Sequence, residues 1–285
     1  MTIGRMAATR HVSDLGRWEM MRAEPDRALR PYVRGYCGYR ERTGRPMVRR
    51  ELPGEDVIVI VNLGEPISVG SPGSTLERRG SFAAGLSRGP SVTRTAGSQH
   101  GLQINFTPFG ARMFFGLPME QLTDRALELT DLLASDADSL IDRIADAPTW
   151  GSRFTVAEDA IARRFASAVP PPPAVAWAWA RLRETEGAVR IDDLARALGA
   201  SRRHLTGSFR REVGLPPKVA ARILRLRRAI RLLEGGANAG LAHVAAVCGY
   251  YDQAHLDRDF RDLAGMTPSA FVARRLPDGG GLAER

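Results

Sequence analysis

An internal repeat in the last third of the chain constrains the fold more than any other feature. The segment Ile191-Asp-Asp-Leu-Ala-Arg-Ala-Leu-Gly199 returns fifty residues later as Leu241-Ala-His-Val-Ala-Ala-Val-Cys-Gly249. Ile191, Leu194, Ala195 and Leu198 match Leu241, Val244, Ala245 and Cys248. The offsets i, i+3, i+4 and i+7 trace one face of a short helix, and the glycine supplies the left-handed residue that ends it without steric strain. Past the glycine the offset becomes fifty-one. Ser201, Leu205, Phe209, Gly214 and Pro217 match Asp252, Leu256, Phe260, Gly265 and Pro268. Ser201 and Asp252 are predicted N-caps. Leu205/Phe209 and Leu256/Phe260 are i, i+4 apolar pairs that face the first helix of each repeat. The repeat therefore reads as two helix-turn-helix units.

Between the units, Pro217 to Leu233 reads as one long helix. Pro216-Pro217 suits its start and Gly235-Gly236 its end. Its apolar set includes Val219, Ile223, Leu226, Ile230 and Leu233. Its polar set, Arg222, Arg225, Arg228 and Arg231, is expected to face solvent without touching DNA. At ~1.5 Å per residue the helix is roughly 25 Å long. That length suits holding two recognition helices near one DNA turn apart, roughly 34 Å.

The charge follows the repeat. The 285 residues carry a net charge of +9 with a single lysine, Lys218. Residues 1–173 hold 22 Arg against 20 acidic residues, net +2, whereas residues 174–275 hold 18 basic against 10 acidic, net +8. The basic excess is thus the footprint of a polyanion partner on the C-terminal third. No run approaches the ~20 apolar residues of a bilayer span. The stretch Met1–Arg30 lacks the apolar core of a signal peptide. Two cysteines far apart, Cys37 and Cys248, form neither a disulfide framework nor a zinc site and fit a reducing cytoplasm.

The run Pro170-Pro-Pro-Pro173 favours a stiff spacer and marks the expected boundary. The expected organisation is a regulatory domain over residues 1–169, a linker over 170–173, a DNA-binding domain over 174–275 and a flexible tail over 276–285. Tyr32–Arg40, Val57–Leu63, Ile67–Gly70, Ser81–Gly85, Val92–Ala96 and Leu102–Phe106 read as strands. Met119–Leu133, Leu140–Ala145 and Thr155–Ala168 read as helices. The fold class is an α+β N-terminal domain followed by an all-α C-terminal domain with two helix-turn-helix units joined by a long helix.

At about 100° per residue, the outward face of the first unit's second helix carries Arg203, Gly207 and Arg210, flanked by Thr206. In the second unit it carries Ala254, Arg258 and Arg261, with Gln253 and His255 on the shoulders. Arginine makes bidentate contacts to guanine, glutamine to adenine, and alanine or a threonine methyl touches thymine. Arg202 and Arg211 sit at the edges, where phosphate contacts are expected.

The segment Gly199-Ala-Ser-Arg-Arg-His-Leu-Thr-Gly-Ser-Phe-Arg-Arg-Glu-Val-Gly214 resembles the first helix-turn-helix of AraC/XylS-type transcriptional regulators. Ala245 to Pro268 is similar to that family's second unit and its signature ending. The resemblance implies a seven-helix DNA-binding domain that contacts two successive major grooves. It places base contacts at Arg203, Thr206 and Gly207, and at Gln253, Ala254, His255 and Arg258. Gly207 departs from the arginine often found there, and Asp257 and Asp259 put negative charge near the phosphates, either to pair with Arg261 or Arg258 or to help reject wrong sequences. The expected partners are double-stranded DNA and RNA polymerase. A small-molecule effector and self-association stay open, and no residue names an effector. Family precedent favours activation.

His11 and His100 are the sole histidines of residues 1–173. That argues against a metal site, and no metal or other cofactor is expected. The rival reading is an enzyme or alkyl-transfer sensor domain fused to a DNA-binding module. It needs a nucleophile with a base, and Cys37 with His100 is the one formal pair. Cys248 falls on a core position, and Trp177 and Trp179 are expected to pack the first helix of the DNA-binding domain.

Overall fold

Strands fill the chain as far as Phe106. They are β1 (Met6–Ser13), β2 (Gly16–Ala23), β3 (Val33–Thr43), β4 (Met47–Glu51), β5 (Val57–Asn62), β6 (Ile67–Gly70), β7 (Glu77–Arg79), β8 (Phe82–Ala84), β9 (Ser91–Thr95) and β10 (Ser98–Phe106), with β11 (Ala126–Glu128) and β12 (Leu282–Ala283) further on. The computed structural model describes residues 3–13, 16–235, 240–274 and 282–283. Two sheets form, in the orders β1-β2-β3-β10-β5-β8-β11 and β12-β4-β9-β6-β7. The β-branched run Val57–Val61 lies inside the larger sheet, paired with β10 on one side and β8 on the other. Burial on a pleated surface is where such side chains fit best.

One face of the larger sheet carries Val33, Tyr36, Val57, Val59, Leu102, Ile104 and Phe106, all nearly inaccessible. Against it pack α1 (Pro108–Phe115), α2 (Leu129–Leu133), α3 (Ser135–Asp146) and α4 (Trp150–Phe165). Thr107 caps α1 by accepting a hydrogen bond from the amide of Gly110, and Pro108 stands where a missing amide hydrogen does no harm. Thr149 and Ser152 close a reciprocal capping box at the start of α4. The opposite face holds a smaller cluster of Ile60, Ile67 and Phe82 between the sheets.

The C-terminal helices are α5 (Pro173–Glu184), α6 (Ile191–Ala197), α7 (Arg202–Val213), α8 (Pro217–Glu234), α9 (Leu241–Val247), α10 (Gln253–Ala264) and α11 (Pro268–Arg274). Their number matches the seven implied by the resemblance. The fourth proline of the run opens α5 rather than closing a linker, as its fixed φ allows. Gly199 and Gly249 take φ of 59° and 75°, the left-handed conformation expected of both. Gly235 caps α8, while Gly236 lies outside the described residues. No helix among the described residues is long and apolar enough to cross a membrane.

Two further expectations need correction, and one hairpin is new. Met119–Leu133 is not one helix: a 3₁₀ turn (Met119–Gln121), then β11, then α2 replace it. Asp124 takes φ of 58° and gives its amide to the carbonyl of Leu86, which turns the chain so that Ala126–Glu128 can pair with β8. The expected tail is not wholly without structure, because Leu282–Ala283 pair with Arg50 and Arg49 of β4. The hairpin of β1 and β2 escaped the sequence reading. Its outer strand is largely exposed, so it lacks the apolar alternation that marks a half-buried strand.

Candidate nucleic-acid interface

Helices α7 and α10 both start as their sequence dictates. Ser201 accepts a hydrogen bond from the amide of His204 at 3.1 Å, and Asp252 accepts one from the amide of His255 at 2.7 Å. Leu205 and Phe209 of α7, and Leu256 and Phe260 of α10, are buried to within 2%. Burying these pairs fixes the rotation of each helix about its axis. Arg203, Gly207, Arg210 and Arg211 are consequently exposed on α7, and Gln253, Ala254, Arg258 and Arg261 on α10. Thr206 and His255 are half-buried, and the His255 ring meets Tyr250 edge-on at 5.2 Å. Trp179 is buried and tilted against Phe209, whereas Trp177 is 43% exposed.

Two candidate contacts already have partners inside the chain. Arg202 forms a short ion pair with Asp192 of α6. Arg210 lies 3.9 Å from Glu120 of the 3₁₀ turn in the β-rich domain. Arg203, Arg258 and Arg261 have no ion-pair partner among the described residues.

The arginine row of α8 is not the bare solvent face expected of it. Arg222 donates to Asp259 at 2.7 and 3.0 Å and to Asp262 at 2.8 Å, tying α8 to α10. Asp259 is 2% exposed, so it belongs to this pair and does not stand near the phosphates with Arg258 or Arg261 as partner. Donating to the Asp259 carboxylate raises the affinity of Arg222 for its proton further. Arg225 donates to the carbonyl of Gly187 and lies over the Tyr250 ring at 5.7 Å. Arg228 and Arg231 both reach Glu186, in the turn between α5 and α6. The row thus fastens the α5–α6 turn and the second unit onto α8, and cations chosen by their helical spacing serve as internal ties.

The β-rich domain touches both units at equivalent places. Gly214 and Gly265, matched across the repeat, end α7 and α10 with φ of 98° and 66°. The Thr123 hydroxyl donates to the carbonyl of Gly214 at 2.7 Å. Arg50 Nη1 donates to the carbonyls of Ala264 and Gly265 at 3.1 and 3.2 Å. Carbonyls at a helix C-terminus have no partner within the helix and carry its negative pole, which suits a hydroxyl or guanidinium donor. Arg112 of α1 faces Glu212 of α7 at 3.6 Å, and Arg183 of α5 reaches Glu55 at 2.5 Å. Beside Glu55, burial lifts the Asp56 carboxyl to about 6 against the pull of Arg34 at 3.6 Å. The sequence reading missed Thr123, Arg50 and Glu120. Nothing local marks them, since their partners lie 90 or more residues away.

Cys37 and His100 do not form a nucleophile–base pair. In the β3–β10 ladder Cys37 pairs with Gln103 and His100 with Arg40, which puts the two side chains on opposite faces of the sheet. Burial pushes the Cys37 thiol up against the pull of Arg22. Burial, then Arg153 and Arg40, hold the His100 imidazole below its ordinary value, and the ring sits 2.9 Å from Arg153 Nη1. Cys248 is buried at its expected core position, and burial raises its thiol as well.

Comparison with known proteins finds two family models. Residues 194–274 match the family described as "Helix-turn-helix domain", and residues 21–128 match "Domain of unknown function (DUF6597)". No curated protein matches the chain. Among solved structures, the DNA-binding domain of AdpA, a global transcriptional factor in complex with a target DNA, is 32% identical. It matches over 35% of this chain and 86% of that one with a TM-score of 0.30. A transcriptional regulator with an AraC-type DNA-binding domain from Chromobacterium violaceum is 28% identical over 38% of this chain and 96% of that one, with a TM-score of 0.34. ToxT from Vibrio cholerae is 10% identical over 84% of this chain and 96% of that one, with a TM-score of 0.46.

Proposed function

The chain belongs to the AraC-type helix-turn-helix DNA-binding regulators, and from that premise we propose that it reads two successive major grooves with α7 and α10 and activates transcription. The observation that supports this reading is the exposed side of the duplicated scaffold. Each capped second helix buries its apolar pair and turns outward an arginine with no ion-pair partner among the described residues, Arg203 on α7 and Arg258 on α10. Base readout falls to Arg203, Thr206 and Gly207 in the first unit, and to Gln253, Ala254, His255 and Arg258 in the second. Arg210 and Arg261 serve the backbone phosphates. Arg202 joins them on leaving Asp192.

Selection of binding sites from random duplex DNA, followed by titration of variants, tests the assignment. Arg203→Ala and Arg258→Ala are each expected to cost ~1–3 kcal/mol and to relax specificity in different halves of the selected site. Unchanged discrimination in both variants would sink the groove assignment. Transcription with purified RNA polymerase from a promoter carrying the selected site tests the sign. Activation requires more transcript with the protein than without it.

A further inference from the structure

We propose that the hollow bounded by α1, α3 and α4 is a binding site for a small organic monoanion with an apolar body, and that its occupancy is felt at α7. The cavity measures ≈ 480 Å³, within the range of small-molecule sites. Phe114, Leu133 and Leu140, almost wholly removed from solvent, form an apolar floor, and Ser139, Ser167 and the charged side chains make the rest of the lining polar. Three arginines stand around the hollow, Arg143 from α3 and Arg163 and Arg164 from α4, against a single carboxylate, Asp136.

The three cations are not equivalent. Arg164 is committed: it pairs with Asp136 at 3.0 Å, donates to the carbonyl of Phe114 and lies over the Phe114 ring at 5.5 Å. Arg143 and Arg163 have no hydrogen bond or ion pair among the described residues. Each occupies the last turn of its helix, where a cation offsets the negative pole. That accounts for an arginine on either helix taken alone. Two such poles carry roughly half a charge each, so about one positive charge of the two is left over. A monoanion is its complement, and the apolar floor takes the rest of the molecule.

Helix α1 is the wall that this cavity shares with the DNA-binding half. Met113 and Phe114 line the hollow, and Arg112, beside them, faces Glu212 of α7 at 3.6 Å. A ligand pressed against Met113 and Phe114 therefore acts on the helix that carries the contact with α7. This coupling rests on the reading of α7 as a recognition helix, whereas binding to the hollow does not.

The test uses the full chain and three probes: 4-phenylbutanoate, the neutral 4-phenyl-1-butanol, and inorganic phosphate. At saturation 4-phenylbutanoate is expected to raise Tm by about 3 °C or more, since a ligand that binds only the folded state stabilises it by mass action. The alcohol and phosphate should each give less than about half that rise. The double variant Arg143→Gln/Arg163→Gln should lose the rise, while its probe-free Tm falls by no more than about 4 °C through the two lost pole contacts. No rise with 4-phenylbutanoate, an equal rise with either control probe, or an equal rise in the double variant would overturn the site. DNA affinity should change at least about threefold with 4-phenylbutanoate, and an unchanged affinity overturns the coupling through α1. Absence of DNA binding both with and without the probe, with the thermal response intact, would refute the regulator reading and leave the site standing.

Discussion

The hydroxyl of Thr123 donates a 2.7 Å hydrogen bond to the carbonyl of Gly214, the residue that ends α7. Gly265 holds the same place in the second unit, and there the donor is Arg50. Two unlike donors from one domain thus meet two copies of one structural position. The β-rich domain spans the repeat and helps to set how α7 and α10 stand relative to each other.

Removing these donors should loosen the halves of the molecule from each other. Thr123→Val keeps the shape and is expected to cost about 1 kcal/mol. Arg50→Met breaks charge-assisted bonds and is expected to cost about 2 kcal/mol. One connected apolar cluster runs through both halves, so the parent should unfold in a single calorimetric transition. The double variant should broaden or split that transition. A sharp transition at the parental Tm would show that the two contacts contribute nothing.

The pair of Arg222 and Asp259 offers a cleaner energetic test. Asp259 is 2% exposed, so Arg222→Met would leave a carboxylate buried without its cation and should destabilise by about 3 kcal/mol. Replacing both, as Arg222→Met/Asp259→Leu, should recover most of that loss, because an apolar pair carries no desolvation penalty. Urea unfolding of the two variants measures the difference. Equal losses would mean that the pair's worth lies in packing rather than charge.

Gly207 separates folding from recognition. It sits inside α7, and a Cβ added there would meet no heavy atom within 4 Å. Gly207→Ala should therefore stabilise by about 1 kcal/mol through helix propensity alone. The same methyl would stand on the face proposed to enter the groove, so DNA affinity should change while Tm rises. A stabilised variant with unaltered binding would take position 207 out of the interface.

Asp56 should make stability depend on pH in an unusual direction. Its folded-state value of about 6 lies above the ordinary 3.8, so between these limits the folded chain holds a proton that the unfolded chain has released. Stability contributed by this group is present at the acid end and lost as pH rises from about 4 to about 6. Asp56→Asn removes the titration, and the difference in Tm between pH 4 and pH 7 should shrink in the variant. An unchanged difference would assign the pH response to other groups.

The repeat itself was legible without coordinates. Helix ends, N-caps, left-handed glycines and apolar pairs are local signals written in spacings of one to four residues, and physics within one or two turns suffices to enforce them. Ser201 and Asp252 cap as their side chains require, and Leu205, Phe209, Leu256 and Phe260 bury the face that their spacing defines. What the chain order could not settle was the destiny of polar side chains. Arg222 and Arg203 look alike in sequence, yet the first is tied to Asp259, 37 residues away, and the second stays exposed. Likewise Met119–Leu133 has helical spacing, but β8 offered Ala126–Glu128 a strand partner and the turn at Asp124 allowed it. Hydrogen bonds and ion pairs between distant residues depend on which surfaces the folded core brings together. For that reason the grip of Thr123 and Arg50 on the ends of α7 and α10 is a property of the tertiary structure alone.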